Sequence, residues 1–200
     1  MSSRSQVKLS AALARQIVQP NRRIDRDRVL RIMRDDSPYM SRIVLLRILG
    51  ILTALLFVAM VIHAAPLNPS IPTIHFTFSE ASFNAVLAQW RPTGVARFKT
   101  HFMIDFPFLV SYGLFGYLLC KHTSLTVGLS ALAKSLLTWA LPFAAVMDAV
   151  ENMLHLTFIY AGKGIPAAFY FVAGIVATFK WAVIVAFVIG AGSTRVRNAG

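Results

Sequence analysis

Asp148, Glu151, Asn152 and His155 are four polar side chains inside an otherwise apolar segment. At about 100° per residue on a helix they fall within an arc of about 100°, so they share one face. Two carboxylates and an imidazole so arranged can hold a polar group or pass protons. An ionised carboxylate in hydrocarbon costs about 2.5–3.5 kcal/mol on insertion scales, which makes an unpartnered pair there expensive. Partners are therefore expected on the neighbouring elements.

Two other segments offer them. His101, Asp105, Phe108 and Tyr112 follow 4-3-4 spacing along one helical stripe. Tyr170, Ala173, Gly174, Ala177, Lys180 and Trp181 share another face, on which small residues permit close helix approach. Counted inward at ~1.5 Å per residue, His155 lies about 8 Å deep, Glu151 about 14 Å and Asp148 about 18 Å. Tyr112 and Lys180 fall near Asp148 on the same scale. The spacing predicts that Asp148 pairs with Lys180, that Glu151 and Asn152 bond Tyr112, and that His155 approaches Asp105 and His101 near an outer opening. Leu141, Ala144 and Ala145 continue the face and leave room for a ligand. With Asp148 neutralised by Lys180, Glu151 is the expected proton carrier. The competing reading is structural, because buried polar pairs can lock helices in register. For Asp105 alone the structural reading is preferred, as a carboxylate near a helix N-terminus is stabilised by the dipole. His63, His75 and His122 are read as ordinary histidines near water.

Other chemistries find little support. His101-x-x-x-Asp105 and Glu151-x-x-x-His155 could face each other with two nitrogen and two oxygen ligands, but Glu-x-x-His and His-Glu-x-x-His are both absent, so no metal site is expected. Cys120 is the single cysteine, which excludes a disulfide framework and a multi-cysteine metal site. There is no Gly-x-Ser-x-Gly and no glycine-rich phosphate loop, so no motif names a cofactor, and an enzyme acting on a lipid, with the carboxylates in acid–base work, is a third and weaker reading.

The elements that must carry these residues read as membrane spans. Of 200 residues, 56% are hydrophobic and 14% charged, with mean hydropathy +0.63. The expected class is all-α: a polytopic integral membrane protein with four transmembrane helices in a bundle, at 43–65, 102–120, 129–160 and 165–189. The extracytoplasmic loop, 66–100, carries Thr77-x-x-Glu80 as a capping box. An amphipathic helix of roughly Phe78 to Trp90 should follow and stop before Pro92, lying on the membrane or capping the bundle.

Residues 1–42 form a basic cytoplasmic region holding half of the 20 basic residues. Met1 to Gln19 is amphipathic, with Lys8, Arg15 and Gln19 opposite Leu9, Leu13 and Ile17, a pattern of interfacial helices and also of organellar transit peptides. A second short helix should end before Pro38. The first span is not expected to be a cleaved signal, since the preceding region is long and His63 occupies a cleavage-site position. The basic tail together with Arg195 and Arg197 in the 190–200 tail places both termini in the cytoplasm by the positive-inside rule. That assigns the chain to the cell (inner or plasma) membrane, with an organellar membrane as the other option. Anionic lipid headgroups account for the basic tail, so nucleic acid is not an expected partner. The function these features predict is an intramembrane polar site that binds, or exchanges protons with, a small or lipid-like ligand. The alternative is an accessory or assembly subunit of a larger membrane complex, with protein partners and a structural polar cluster.

Overall fold

Why each helix starts and stops is visible in its terminal residues. The computed structural model describes residues 26–162 and 164–199, with side chains at 41–162 and 164–194. The amphipathic pattern at Met1 to Gln19 lies outside the described residues. By internal packing the chain divides into Met1–Ile43 and Val44–Gly200, and the side chains discussed belong to the second unit.

Every regular element among the described residues is helical: α1 (Arg26–Ala64), α2 (Ile71–His75), α3 (Glu80–His122), a 3₁₀ turn (Ser124–Thr126), α4 (Ala131–Ala161) and α5 (Ala167–Ala199). Four of them, α1, α3, α4 and α5, are long and apolar enough to cross a membrane. α1 passes through Pro38, where a helix end was expected. A proline removes one helical hydrogen bond and kinks a helix without having to end it.

The stretch between α1 and the second predicted span departs most from expectation. Thr77 does not cap α3; its hydroxyl donates to Ile74 O at 2.7 Å. Ser79 is the cap instead: its Oγ accepts from Ser82 N at 3.2 Å, and Ser82 Oγ accepts from Ser79 N at 3.2 Å. A serine at the third position closes the box as a glutamate would, so the helix starts at Glu80, two residues after the expected Phe78. Arg91 interrupts α3 with φ 56 and ψ 177, and the helix resumes at Pro92. Pro92, which ends the first limb, also starts the second, because its fixed φ suits a first helical position. The second limb of α3 therefore runs 92–122, ten residues longer at its N-terminus than the predicted 102–120 segment.

α4 is capped by Ser130, whose Oγ accepts from Ala133 N at 3.3 Å, and ends at Gly162 with φ 72, a left-handed turn that glycine adopts without penalty. Its buried positions are Leu137, Thr138, Leu141, Ala144, Ala145, Asp148, Glu151, Asn152, His155 and Phe158. This is one stripe at spacings of three and four, so the polar quartet continues the face that packs the helix.

Two apolar clusters flank the polar residues. Leu109, Leu137, Leu141 and Phe187 join α3, α4 and α5 on one side. On the other, Ile74, Phe83, Val86, Trp90, Phe98 and Phe158 pack α2 and the first limb of α3 over the ends of α4 and α5. Of the two settings expected for the amphipathic helix, its apolar face takes the packed one: Phe83 is 1% exposed and Trp90 4%. Burying such a side chain contributes about 1.5–3 kcal/mol. Trp90 Nε1 also donates to Pro69 O at 2.6 Å and ties the loop down.

α1 is attached differently. No residue from Ser41 to Ala64 is buried. A single face meets α3 through Thr53 Oγ1 and Ser111 Oγ at 2.6 Å, the Phe57 and Phe108 rings at 6.1 Å, and Arg97 Nη1 donating to His63 O at 3.0 Å.

Candidate functional site

Lys180, from the small-residue face of α5, reaches both carboxylates of α4. Its Nζ lies 2.8 Å from Asp148 Oδ1 and 2.5 Å from Glu151 Oε2. Ala173 and Ala177 are buried on that face, and a Cβ on Gly174 would come within 2.5 Å of the Phe78 ring and 2.8 Å of Thr77 O. The absent side chain is what lets the loop before α3 close over α5. Lys180, Asp148 and Glu151 are 2%, 6% and 0% exposed, so three formal charges share one buried site. Buried ions persist when paired and hydrogen-bonded, and this triad meets that condition around the ammonium.

The remaining partners differ from those the spacing predicted. Tyr112 OH donates to Asp148 Oδ2 at 3.2 Å rather than to Glu151 or Asn152. Asn152 Nδ2 donates to Asp105 Oδ2 at 2.6 Å. On α4, Asn152 therefore faces Asp105 and Asp148 faces Tyr112. Asp105 also sits well inside the 92–122 limb, away from the helix N-terminus that was to stabilise it. The amide of Asn152 supplies its contact instead.

Among the described residues no hydrogen bond joins His155 to Asp105 or His101. His155 occupies an aromatic box, with ring centroids 5.5 Å from Phe83, 6.1 Å from Phe98 and 6.0 Å from His75. The folding of α2 and the first limb of α3 over this end of α4 places aromatic rings where an opening was predicted. His101 stacks on His63 at 6.2 Å. Both His101 Nδ1 and His155 Nδ1 are buried without a hydrogen-bond partner.

His75 is the residue that sequence reasoning missed. Its Nδ1 accepts a hydrogen bond from Trp181 Nε1 at 3.4 Å and lies 3.7 Å from Glu151 Oε1. Burial holds its imidazole well below the ordinary value of 6.5, and the charge of Lys180 adds to the depression. Glu151 is already engaged by Lys180, so the neutral ring receives the Trp181 N–H. The only local signal was a proline-led turn, Ile71-Pro72-Thr73-Ile74-His75, with nothing to tie it to residues far along the chain.

Beside the cluster lies a cavity of about 390 Å³. Phe57, Met60, Val61 and Ala64 of α1 form one wall. Asp105, Phe108, Tyr112 and His101 of α3, with Asp148 of α4, face them. Lys180, Trp181 and Phe187 of α5 and His75 of α2 complete the lining. Five of the eight expected site residues, Asp148, Tyr112, Lys180, Asp105 and His101, therefore border the space. Glu151, Asn152 and His155 do not, and contact the lining residues Lys180, Asp105 and His75 respectively. Among the described residues no group of three or more His, Cys, Asp or Glu is disposed to hold a metal ion.

No known protein family, curated protein sequence or solved structure matches the chain.

Proposed function

We propose that this chain is an integral membrane protein whose four long helices form a bundle around a ligand site, and that the site binds a small lipid-like molecule. The observation that carries this reading is the cavity of about 390 Å³, apolar over most of its lining, with Asp105, Tyr112, Asp148 and Lys180 gathered at its inner side. Its size falls within the range of about 300–1,000 Å³ typical of small-molecule sites. An amphipathic molecule matches both parts of the lining at once. Exposed apolar side chains such as Ile51, Leu55, Ile62, Met103, Leu132 and Val188 support a lipid surround. The Arg-rich N-terminal region and the C-terminal arginines support cytoplasmic termini in an inner or plasma membrane, with anionic headgroups as the partners of the basic tail. On this reading Glu151, ion-paired with Lys180 but with both carboxylate oxygens lacking a hydrogen-bond partner, is the group that exchanges a proton when the ligand binds.

Native mass spectrometry of the protein extracted gently from its own membrane tests the reading. A retained small molecule in wild type that disappears in Met60→Trp, which fills the cavity without touching the polar cluster, is the expected result. An empty wild type, or equal retention in the variant, refutes it.

One observation favours the second reading, an accessory subunit with a structural cluster: several of the polar groups pair with one another, with Lys180 bridging Asp148 and Glu151 and Asn152 bonding Asp105. A stoichiometric protein partner in the same spectrum, with no small molecule, is its signature.

A further inference from the structure

The balance of charge around the cavity narrows the class of ligand. Lys180 is the one lysine or arginine among the residues that line it, and its ammonium is taken up by Asp148 and Glu151. Asp105 receives only the neutral amide of Asn152. His75, at the same wall, is held neutral by burial and so adds no positive charge. Three carboxylates therefore face one cation, and Asp105, which borders the cavity, is the one that Lys180 does not pair with. A buried carboxylate without a counter-charge is costly, and a cation delivered by a ligand relieves that cost. An anionic headgroup would meet Asp105 and Asp148 with like charge.

Two further features point the same way. Asp105 is followed along its stripe by Phe108 and Tyr112, whose rings lie 5.1 Å apart, with Phe57 6.1 Å from Phe108 across the gap. Aromatic faces beside a carboxylate attract a cation. His101, which lines the same cavity and is 5% exposed, keeps Nδ1 buried with no hydrogen-bond partner. With its proton on Nε2, the ring offers Nδ1 as an acceptor for an N–H donor.

We propose that the cavity recognises a protonated amine carried on an apolar tail or ring system, with the ammonium on Asp105 beside the Phe108 and Tyr112 rings and the apolar part against Phe57, Met60 and Val61. The inference rests on the reading of this cavity as a ligand site and adds the headgroup chemistry.

The test uses three probes that share one chain and differ in the head: decylamine, decanol and decyl phosphate. Each is titrated into the purified full-length protein in a neutral detergent, with bound copies counted by native mass spectrometry. Decylamine should bind as one saturable copy, at least tenfold tighter than decanol, and decyl phosphate should not compete. Asp105→Asn should weaken decylamine at least tenfold and leave decanol unchanged. Phe108→Leu, which keeps the carboxylate, should weaken decylamine several-fold, and it decides the matter if Asp105→Asn does not fold. Equal binding of amine and alcohol, tighter binding of the phosphate, or unchanged amine binding in both variants overturns the headgroup assignment while leaving a ligand cavity in place. Failure of all three probes to bind folded wild type overturns the cavity reading itself.

Discussion

Replacing Lys180 by methionine removes the cation of the buried triad while keeping an unbranched apolar stem of similar reach. At separations of 2.8 and 2.5 Å from Asp148 and Glu151, an effective dielectric of about 20 gives about 6–7 kcal/mol for each contact. Against this stands a desolvation cost of several kcal/mol for each of the three ions, so the intact triad is close to neutral for stability. Lys180→Met deletes the attraction and leaves two carboxylates buried on one face, a change that costs about 3–5 kcal/mol. At about 2–4 °C per kcal/mol for a chain of this size, Tm should fall by about 6–20 °C. Thermal unfolding followed by circular dichroism in one detergent provides the readout. Lys180→Met combined with Asp148→Asn and Glu151→Gln removes all three charges and should recover most of the loss, because neutral side chains no longer carry the desolvation cost. A loss within about 1 kcal/mol for Lys180→Met, or a triple variant no more stable than the single one, would refute the claim that these charges depend on one another.

Acid should loosen the contact between α2 and α5. The folded-state pKa of His75 lies below its ordinary 6.5, so the unfolded chain binds the proton more readily and stability falls as pH drops through about 6.5. His75→Gln should lessen that fall, and identical pH profiles of Tm in the two proteins would count against it. A Cβ at Gly116 would stand 2.5 Å from Leu141 Cδ1 and 2.6 Å from Leu141 Cβ. Gly116→Ala should therefore cost about 1–3 kcal/mol by overpacking, whereas Gly192→Ala, with nothing within 4 Å, should gain about 0.5–1 kcal/mol from helix preference; a comparison of their Tm values checks both. Arg91 holds φ 56 and ψ 177, a region suited to glycine that costs other residues about 1–3 kcal/mol. Arg91→Gly should raise Tm, and a fall would mean that its side chain contributes more than the backbone loses.

Periodicity alone determined which faces of the long helices turn inward. In α4 every buried position belongs to one stripe that includes Asp148, Glu151, Asn152 and His155; spacings of three and four are a property of the helix and need no tertiary information. Matching positions by rise per residue was also enough to bring Lys180 level with Asp148. Local chemistry fixed the ends of α4, where Ser130 and Gly162 cap the helix. The 66–100 stretch was read less well, since Ser79 and Thr77 offer equivalent caps and Pro92 can end one helix and begin another. Only the tertiary structure decided which polar atoms meet. Asn152 bonds Asp105 and Tyr112 bonds Asp148 in place of each other, and hydrogen bonds are lost over displacements that leave the spacing pattern unchanged. His75 enters the site because α2 folds over the ends of α4 and α5, through Ile74 packing into the cluster of Phe83 and Phe98. The cavity is likewise a product of assembly: it exists because α1 touches α3 along one face and leaves the space beside it open, and no single helix encodes a gap between helices.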